Sequence, residues 1–303
     1  MLITNYVSLM RTLKITWKTD LILLVSCVTA YLFDQWAVAK HFHMPTIIPA
    51  VLGSALAFFI GFNNNQAYAR WWEARIIWGS LVNNSRSWAR SLLGYTSAEA
   101  NNERLLHDLQ KRMIRRHIGF LYALKTALRN DNKQDYKKYL TEAEVAQIEK
   151  QSNKHNAILG LQTADVELLY QKGWIDGFKF MQINELLVEF CNDMGRSERI
   201  KNTVFPTTYN YFTRLFTWVF SLLITIVVSE EAGLWSVTLG FIVGFIFHTI
   251  HTIGLSLLNP FEPQAAGIPL DQITRTIEIN LLEMLGETSI PPPVKAVNNE
   301  YIL

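Results

Sequence analysis

Charged residues disappear from the chain in four places: 21–33, 44–69, 215–229 and 232–260 contain no Asp, Glu, Lys or Arg. A hydrocarbon core about 30 Å thick takes about 20 helical residues to cross. The second and fourth stretches are therefore long enough by themselves. The third draws on the polar-aromatic run 209–213 as an interfacial belt. The first reaches about residue 37 if Asp34 snorkels or sits near the outer interface. Pro45 and Pro49 mark the start of the second helix, where proline is tolerated. Between 70 and 207 the apolar runs shorten and amphipathic helical patterns take over. The spacing predicts helices over 80–94, 102–130 and 163–193, with a polar loop at 130–138. A helix restarts over 141–151, where Thr141 and Glu144 are spaced as a capping box. Another amphipathic helix covers 271–285, and the tail beyond it cannot be helical at prolines 291–293. No β-strand pattern competes. The chain reads as an all-α membrane protein with four transmembrane helices and a helical cytosolic region. Its parts are an interfacial segment (1–20), the first helix pair (21–69), the cytosolic helices (70–208), the second pair (209–260) and a helix with tail (261–303).

The stretch 44–79 organises the rest. It begins apolar and rich in small residues, then runs without a helix breaker into Asn63-Asn64-Asn65-Gln66 and Arg70-Trp71-Trp72-Glu73-Ala74-Arg75. At about 100° per residue, Val51, Ser54, Phe58, Gly61, Phe62 and Asn65 share one narrow stripe. A plain anchor has no use for that mixture. A helix lining a conduit does, since small residues permit close packing and aromatic rings make a hydrophobic constriction. Two Phe packed inside a helix bundle would give the same periodicity.

Charge sets the orientation. Arg11, Lys14, Lys18, Arg70, Arg75, Arg86 and Arg90 all fall on one side of the four spans, which places both termini in the cytoplasm. Residues 1–20 suit a helix lying along that membrane surface. The net charge of +2 is too small to point to nucleic acid. Arg104, Lys111, Arg112, Arg115 and Arg116 read as a solvated face, with contact to anionic lipid heads as the other reading. His248 and His251 share a face of the fourth span, as an ion relay or as neutral imidazoles bonded between helices. The His41-Phe42-His43 run reads as an exposed loop. Cys27 and Cys191 lack CxxC or CxxxH surroundings, so neither a disulfide nor a metal site is expected. No cleavable signal peptide is evident.

Enzymatic constellations are missing: there is no GxSxG, HExxH, GxxxxGK[ST] or GxGxxG. Glu73, between Arg70 and Arg75, belongs to a structural ion-pair network. Asp176, Glu185, Glu189 and Asp193 are positioned to line a wet vestibule without forming an acid–base pair. No enzyme activity and no cofactor are expected.

The run GFNNNQAYARWWEARIIWG (61–79) closely resembles the signature of the bestrophin family of ion channels in its bacterial form. Two later stretches agree in order and in rare residues: 196–206, RSERIKNTVFP, and Asn259-Pro260-Phe261. The resemblance covers roughly residues 5 to 300. It implies a homopentamer of four-span subunits in the bacterial inner membrane, surrounding a central pore for monovalent ions, with membrane lipid around it. It places the neck at Ser54, Phe58 and Phe62, and the family motif at Arg70, Trp71, Trp72, Glu73, Asn259, Pro260 and Phe261. Ser54 departs from the usual large apolar residue, so the neck is expected to be two aromatic rings capped by a more polar one. The cytosolic exit constriction falls at Met181, with Phe178 and Ile183 as neighbours. The animal relatives carry an acidic calcium clasp after Asn-Pro-Phe. Here only Glu262 and Asp271 are acidic between 261 and 273, too few for a cation wanting six or more oxygens, so calcium-independent opening is expected. In the family the tail packs along neighbouring subunits. The reading takes the cation branch, as in the bacterial group. An anion channel of the same fold is the alternative, and a secondary transporter or membrane scaffold a second one. A transporter should show internal repeats, and none is convincing, although Gly240, Gly244 and Gly254 interrupt the fourth span.

Overall fold

A computed structural model describes residues 9–38, 44–203, 207–298 and 300–303; the side chains before Thr16 and that of Val38 are outside the description. The expectations for 1–8, for Arg11 and Lys14, for Lys40, His41 and His43, and for the last three residues of 196–206 therefore fall outside the described residues. The helices are α1 (Leu9–Phe33, continued by a π-turn Asp34–Val38), α2 (Ile47–Tyr95), α3 (Glu103–Arg129), α4 (Glu142–Ile148), α5 (Lys154–Gln171), α6 (Gly177–Asn202), α7 (Thr207–Ala232), α8 (Trp235–Leu257) and α9 (Leu270–Met284). Among the described residues there is no strand, only an isolated bridge between Val297 and Tyr301.

The predicted helices 44–79 and 80–94 are one element. With no proline after Pro49, α2 continues for 49 residues, about 73 Å at the usual rise. The single helix expected over 163–193 is instead two. Gly173 adopts φ +69, and the Trp174 N–H closes back on the Leu169 carbonyl at 3.0 Å, ending α5 in the left-handed manner that favours glycine. Asp176 then caps α6 by accepting from the Lys179 N–H at 2.9 Å. Trp174 and Ile175 are buried, so the apolar period runs through the break and hides it. The Thr141–Glu144 capping box is present on α4. Glu230 and Glu231 belong to the last turn of α7, and the reversal falls on Gly233, at φ +55.

The chain divides into two compact units. One holds α1, α2 up to Trp71, α7 and α8. Among the described residues, four helices are long and apolar enough to cross a membrane: Thr16–Ala37, Ile47–Tyr95, Thr207–Ala232 and Trp235–Leu257. Within this unit α7 turns a row of small hydroxyls inward, with Thr213, Thr217, Ser221, Thr225 and Ser229 all buried. Most donate to their own helix: Thr213 to the Tyr209 carbonyl at 2.9 Å, and Thr217 and Thr225 to the carbonyls one turn back at 2.8 Å. Ser221 reaches across to the Gly240 carbonyl at 2.8 Å. The approach is close enough that a Cβ at Gly244 would stand 3.0 Å from Leu23 Cδ2 and 3.0 Å from Ser221 Cβ. Asp34 does not snorkel. It is 1% exposed and accepts a hydrogen bond from Ser229, because a hydroxyl of α7 offers it a partner inside the unit.

The other unit, Trp72–Thr203 with Pro260–Leu303, is a helical body. Trp78, Trp88 and Leu92 of α2, Ile114, Ile118 and Leu121 of α3, Phe190 of α6 and Phe261 are its buried core. Full burial of such a side chain is worth about 1.5–3 kcal/mol. His117 lies within it, 4.3 Å from Phe190 between ring centroids and 2.8 Å from the Ser85 hydroxyl. Burial lowers its pKa to about 3, so the ring is neutral. The basic run of α3 is a solvated face only in part: Arg104 and Arg112 are exposed and Lys111 and Arg115 partly so, while Arg116 turns inward. Arg116 is 4% exposed and pairs with Glu144 and Asp165, which Arg112 also holds at 2.7 Å. Lys111 and Arg115 share Glu287. The carboxylates that neutralise the run arrive from α4, α5 and the tail, far along the sequence.

Candidate functional site

The stripe on α2 is turned away from the other helices of its unit. Phe58 is 72% exposed, Phe62 50% and Val51 62%, and Ser54, Gly61 and Asn65 are exposed with them. The opposite face of the same helix carries the packing: Leu56, Ile60, Asn63 and Ala67 are at most 3% exposed. The two phenyl rings are thus left largely uncovered by the other helices of their unit. Ser54 donates its hydroxyl proton to the Ala50 carbonyl at 2.9 Å, which leaves its oxygen lone pairs on the exposed side.

The rings have a support that sequence reasoning missed. Tyr209 of α7 lies 5.7 Å from the Phe59 ring and 6.4 Å from that of Phe62, and its hydroxyl donates to the Phe59 carbonyl at 3.2 Å. Phe58 meets Phe59 edge-on at 6.3 Å. A groove of about 400 Å3 lined by Phe59, Tyr209, Phe212 and Phe216 runs behind them. The polar-aromatic composition of 209–213 reads equally well as an interfacial belt, so nothing local marked Tyr209 as a buttress. On the fourth helix His251 is buried and His248 half-buried. Asn64 donates to the Ile250 carbonyl of that helix at 3.1 Å.

The residues expected at the exit separate. Phe178 and Met181, in the first turns of α6, are 84% and 68% exposed, while Ile183 is 0% exposed and belongs to the core of the body. A side chain so withdrawn has no surface with which to narrow an opening. Of the vestibule carboxylates, Glu185 is exposed, Glu189 half-buried and Asp176 spent on a cap, but Asp193 is 0% exposed and lines no open space.

Several of the family-motif residues make contacts within their own unit. Glu73 pairs with Arg199, which ties the Arg-Trp-Trp-Glu block to the Arg-Ser-Glu-Arg stretch. Next to Arg199, Glu198 takes a contact from His155 at 2.7 Å and the Asn153 amide at 2.9 Å. Trp71 stacks on Tyr68 at 6.1 Å, and Trp72 is half-exposed. The Pro260 carbonyl accepts from the Ile268 N–H at 2.7 Å and the Phe261 carbonyl from Arg129 at 3.3 Å. Asp271 does not stand open: Lys125 reaches it at 2.7 Å and Arg129 at 2.5 Å. Burial raises the proton affinity of this carboxyl, and the two cations more than offset that, so its pKa lies below the usual range. The tail lies against α9, with the Leu303 carbonyl accepting from the Gln272 N–H at 2.9 Å and that of Pro292 from Arg275 at 3.2 Å.

Four apolar helices and a helical body define a polytopic all-helical membrane protein. The model of the family described as "Bacterial/Fungal Bestrophin protein" matches residues 8–283. The chain belongs to the bestrophin family. It is 28% identical over 248 residues to the voltage-dependent anion channel-forming protein YneE of Salmonella typhi, covering 81% of this chain and 79% of that one. The protein of the same name in Escherichia coli K12 is 26% identical over 251 residues, with 82% and 80% covered. A crystal structure of a bacterial bestrophin homologue from Klebsiella pneumoniae superposes with a TM-score of 0.81 at 25% identity, covering 89% of this chain and 98% of that one.

Proposed function

We propose that the chain is one subunit of a homopentameric channel that passes small monovalent ions across the bacterial inner membrane. In this reading both termini are cytoplasmic, opening needs no calcium, and there is no enzymatic step. The observation that carries it is the stripe on α2: large rings exposed from the subunit, on a helix whose other face is fully packed. A purely lipid-facing stripe would be apolar throughout, whereas this one includes Ser54, Gly61 and Asn65. Copies arranged about an axis would bring Phe58 and Phe62 together as a hydrophobic neck, with Ser54 as the polar ring beside it. Met181 and Phe178, on an exposed face of α6, are the candidates for the cytosolic constriction; Ile183 is set aside because it is buried. Arg70, Trp71, Trp72, Glu73, Asn259, Pro260 and Phe261 serve the scaffold, and lipid surrounds the apolar helices.

Cation passage is supported by the outward lone pairs of Ser54, whose proton is already donated. Anion passage is the second reading. The positive edges of Phe58 and Phe62 suit it, and the relatives are named as anion channel-forming. The reversal potential of the purified protein in a planar bilayer under a KCl gradient separates the two by its sign. Phe58→Ala with Phe62→Ala should raise unitary conductance several-fold, and unchanged conductance would remove both rings from the neck. Slow coupled flux would instead indicate a transporter, and no current a scaffold.

A further inference from the structure

Asp193 stands midway along α6, fully buried, and neither carboxylate oxygen has a hydrogen-bond partner. Ser197, one turn further on and equally buried, has its hydroxyl oxygen unpartnered too. The facing residue on α2 is Ser80. Its oxygen accepts from the Asn84 amide at 3.2 Å, so its own proton is free to turn toward α6. The charged groups acting on Asp193 are Arg196, which favours ionisation, and Glu189, which opposes it, both on α6 itself. Burial dominates and pushes the carboxyl up from its ordinary value, with Ser80 and Arg196 opposing in part.

An ionised carboxylate here has only Ser80 and Arg196 to set against its burial and Glu189, and these do not make up the deficit. A neutral acid has no such deficit and gains an O–H that a serine oxygen can accept. A packing position whose carboxylate is satisfied by buried water would look the same in outline, so the two accounts are separated by their pH dependence.

We infer that Asp193 is a proton-binding lock between α2 and α6, holding the two helices together when it is neutral and loosening them when it is ionised. The same helix presents Phe178 and Met181, so in the channel reading the lock sets how firmly the exit residues are held. That second step rests on the proposed function; the first does not.

The test is Asp193→Asn in the full chain, purified as the assembled protein in detergent. A carboxyl whose proton affinity is raised by folding stabilises fully below its unfolded pKa of about 3.9, and that stability is lost as pH rises through the folded value. The unfolding midpoint of the natural chain should therefore fall, as pH rises from about 4 to neutral, more steeply than that of D193N. At the higher pH the variant should unfold at least about 2–4 °C above the natural chain. Parallel pH slopes, a variant no more stable at the higher pH, or failure of this isosteric variant to assemble would each overturn the lock. In bilayers, the natural channel's current should respond to pH on the cytoplasmic side and that of D193N should not. A response unchanged by the substitution would overturn the link to the exit while the stability measurement stands on its own.

Discussion

At the scale of single residues, what matters most is which carboxylates are already spoken for. Asp271 is one of two acids just after Asn-Pro-Phe, and it is bound by Lys125 and Arg129, whose side chains are 5% and 3% exposed. Arg129 also holds the Phe261 carbonyl. Arg129→Ala should cost about 3 kcal/mol by leaving buried polar groups short of a partner, read as a lowered unfolding midpoint; Arg129→Lys should recover part of it. A loss under about 1 kcal/mol would show the pair to be an ordinary surface contact. Residue roles that depend on local spacing were legible from the sequence, as Thr141 and Glu144 demonstrate. Those that depend on what lies opposite were not. Asp34, Asp193 and Ile183 look like any other polar or apolar position until the partner helix is in place, and Arg116 looks solvated until Asp165 and Glu144 approach it.

At the scale of elements, periodicity locates helices well and their ends less well. The apolar runs of α2, α7 and α8 and the amphipathic run of α3 could all be read directly. The break at Gly173 could not, since Trp174 and Ile175 carry the apolar pattern across it. The length of α2 follows from what is absent, a proline after Pro49. The packing of α7 on α8 gives an element-level prediction. Gly244→Leu places a branched chain where a first carbon would already crowd Leu23 and Ser221. Overpacking of this kind costs about 1–3 kcal/mol. The variant should unfold at lower temperature than Gly61→Ala, whose added carbon meets nothing within 4 Å. Equal midpoints for the two would show that α7 and α8 yield freely.

At the scale of the whole molecule, the family and its all-helical plan were legible because long motifs with rare residues lie in order along the chain. The stripe on α2 was legible in part: Val51, Ser54, Phe58 and Phe62 could be placed on one face from spacing, but their exposure could not, nor could the support from Tyr209. The proposed calcium independence is a prediction at this scale, supported by the state of Asp271. Adding calcium to the cytoplasmic side of reconstituted channels, or removing it with a chelator, should leave the current unchanged, and activation by calcium would mean that the Lys125–Asp271–Arg129 arrangement opens in the working assembly.

The hydroxyl row on α7 carries a consequence for how this protein can change over time. Because Thr213, Thr217 and Thr225 satisfy their protons within their own helix, the neighbouring helices depend on the row for its slimness far more than for its polarity. At these three threonines alanine or the equally slim valine is therefore an acceptable substitute and leucine is not, whereas Ser221 and Ser229 must keep their oxygens for the Gly240 carbonyl and for buried Asp34. Drift at the three threonines is confined by girth, and a lineage is free to lose their oxygen atoms so long as it never thickens the seam.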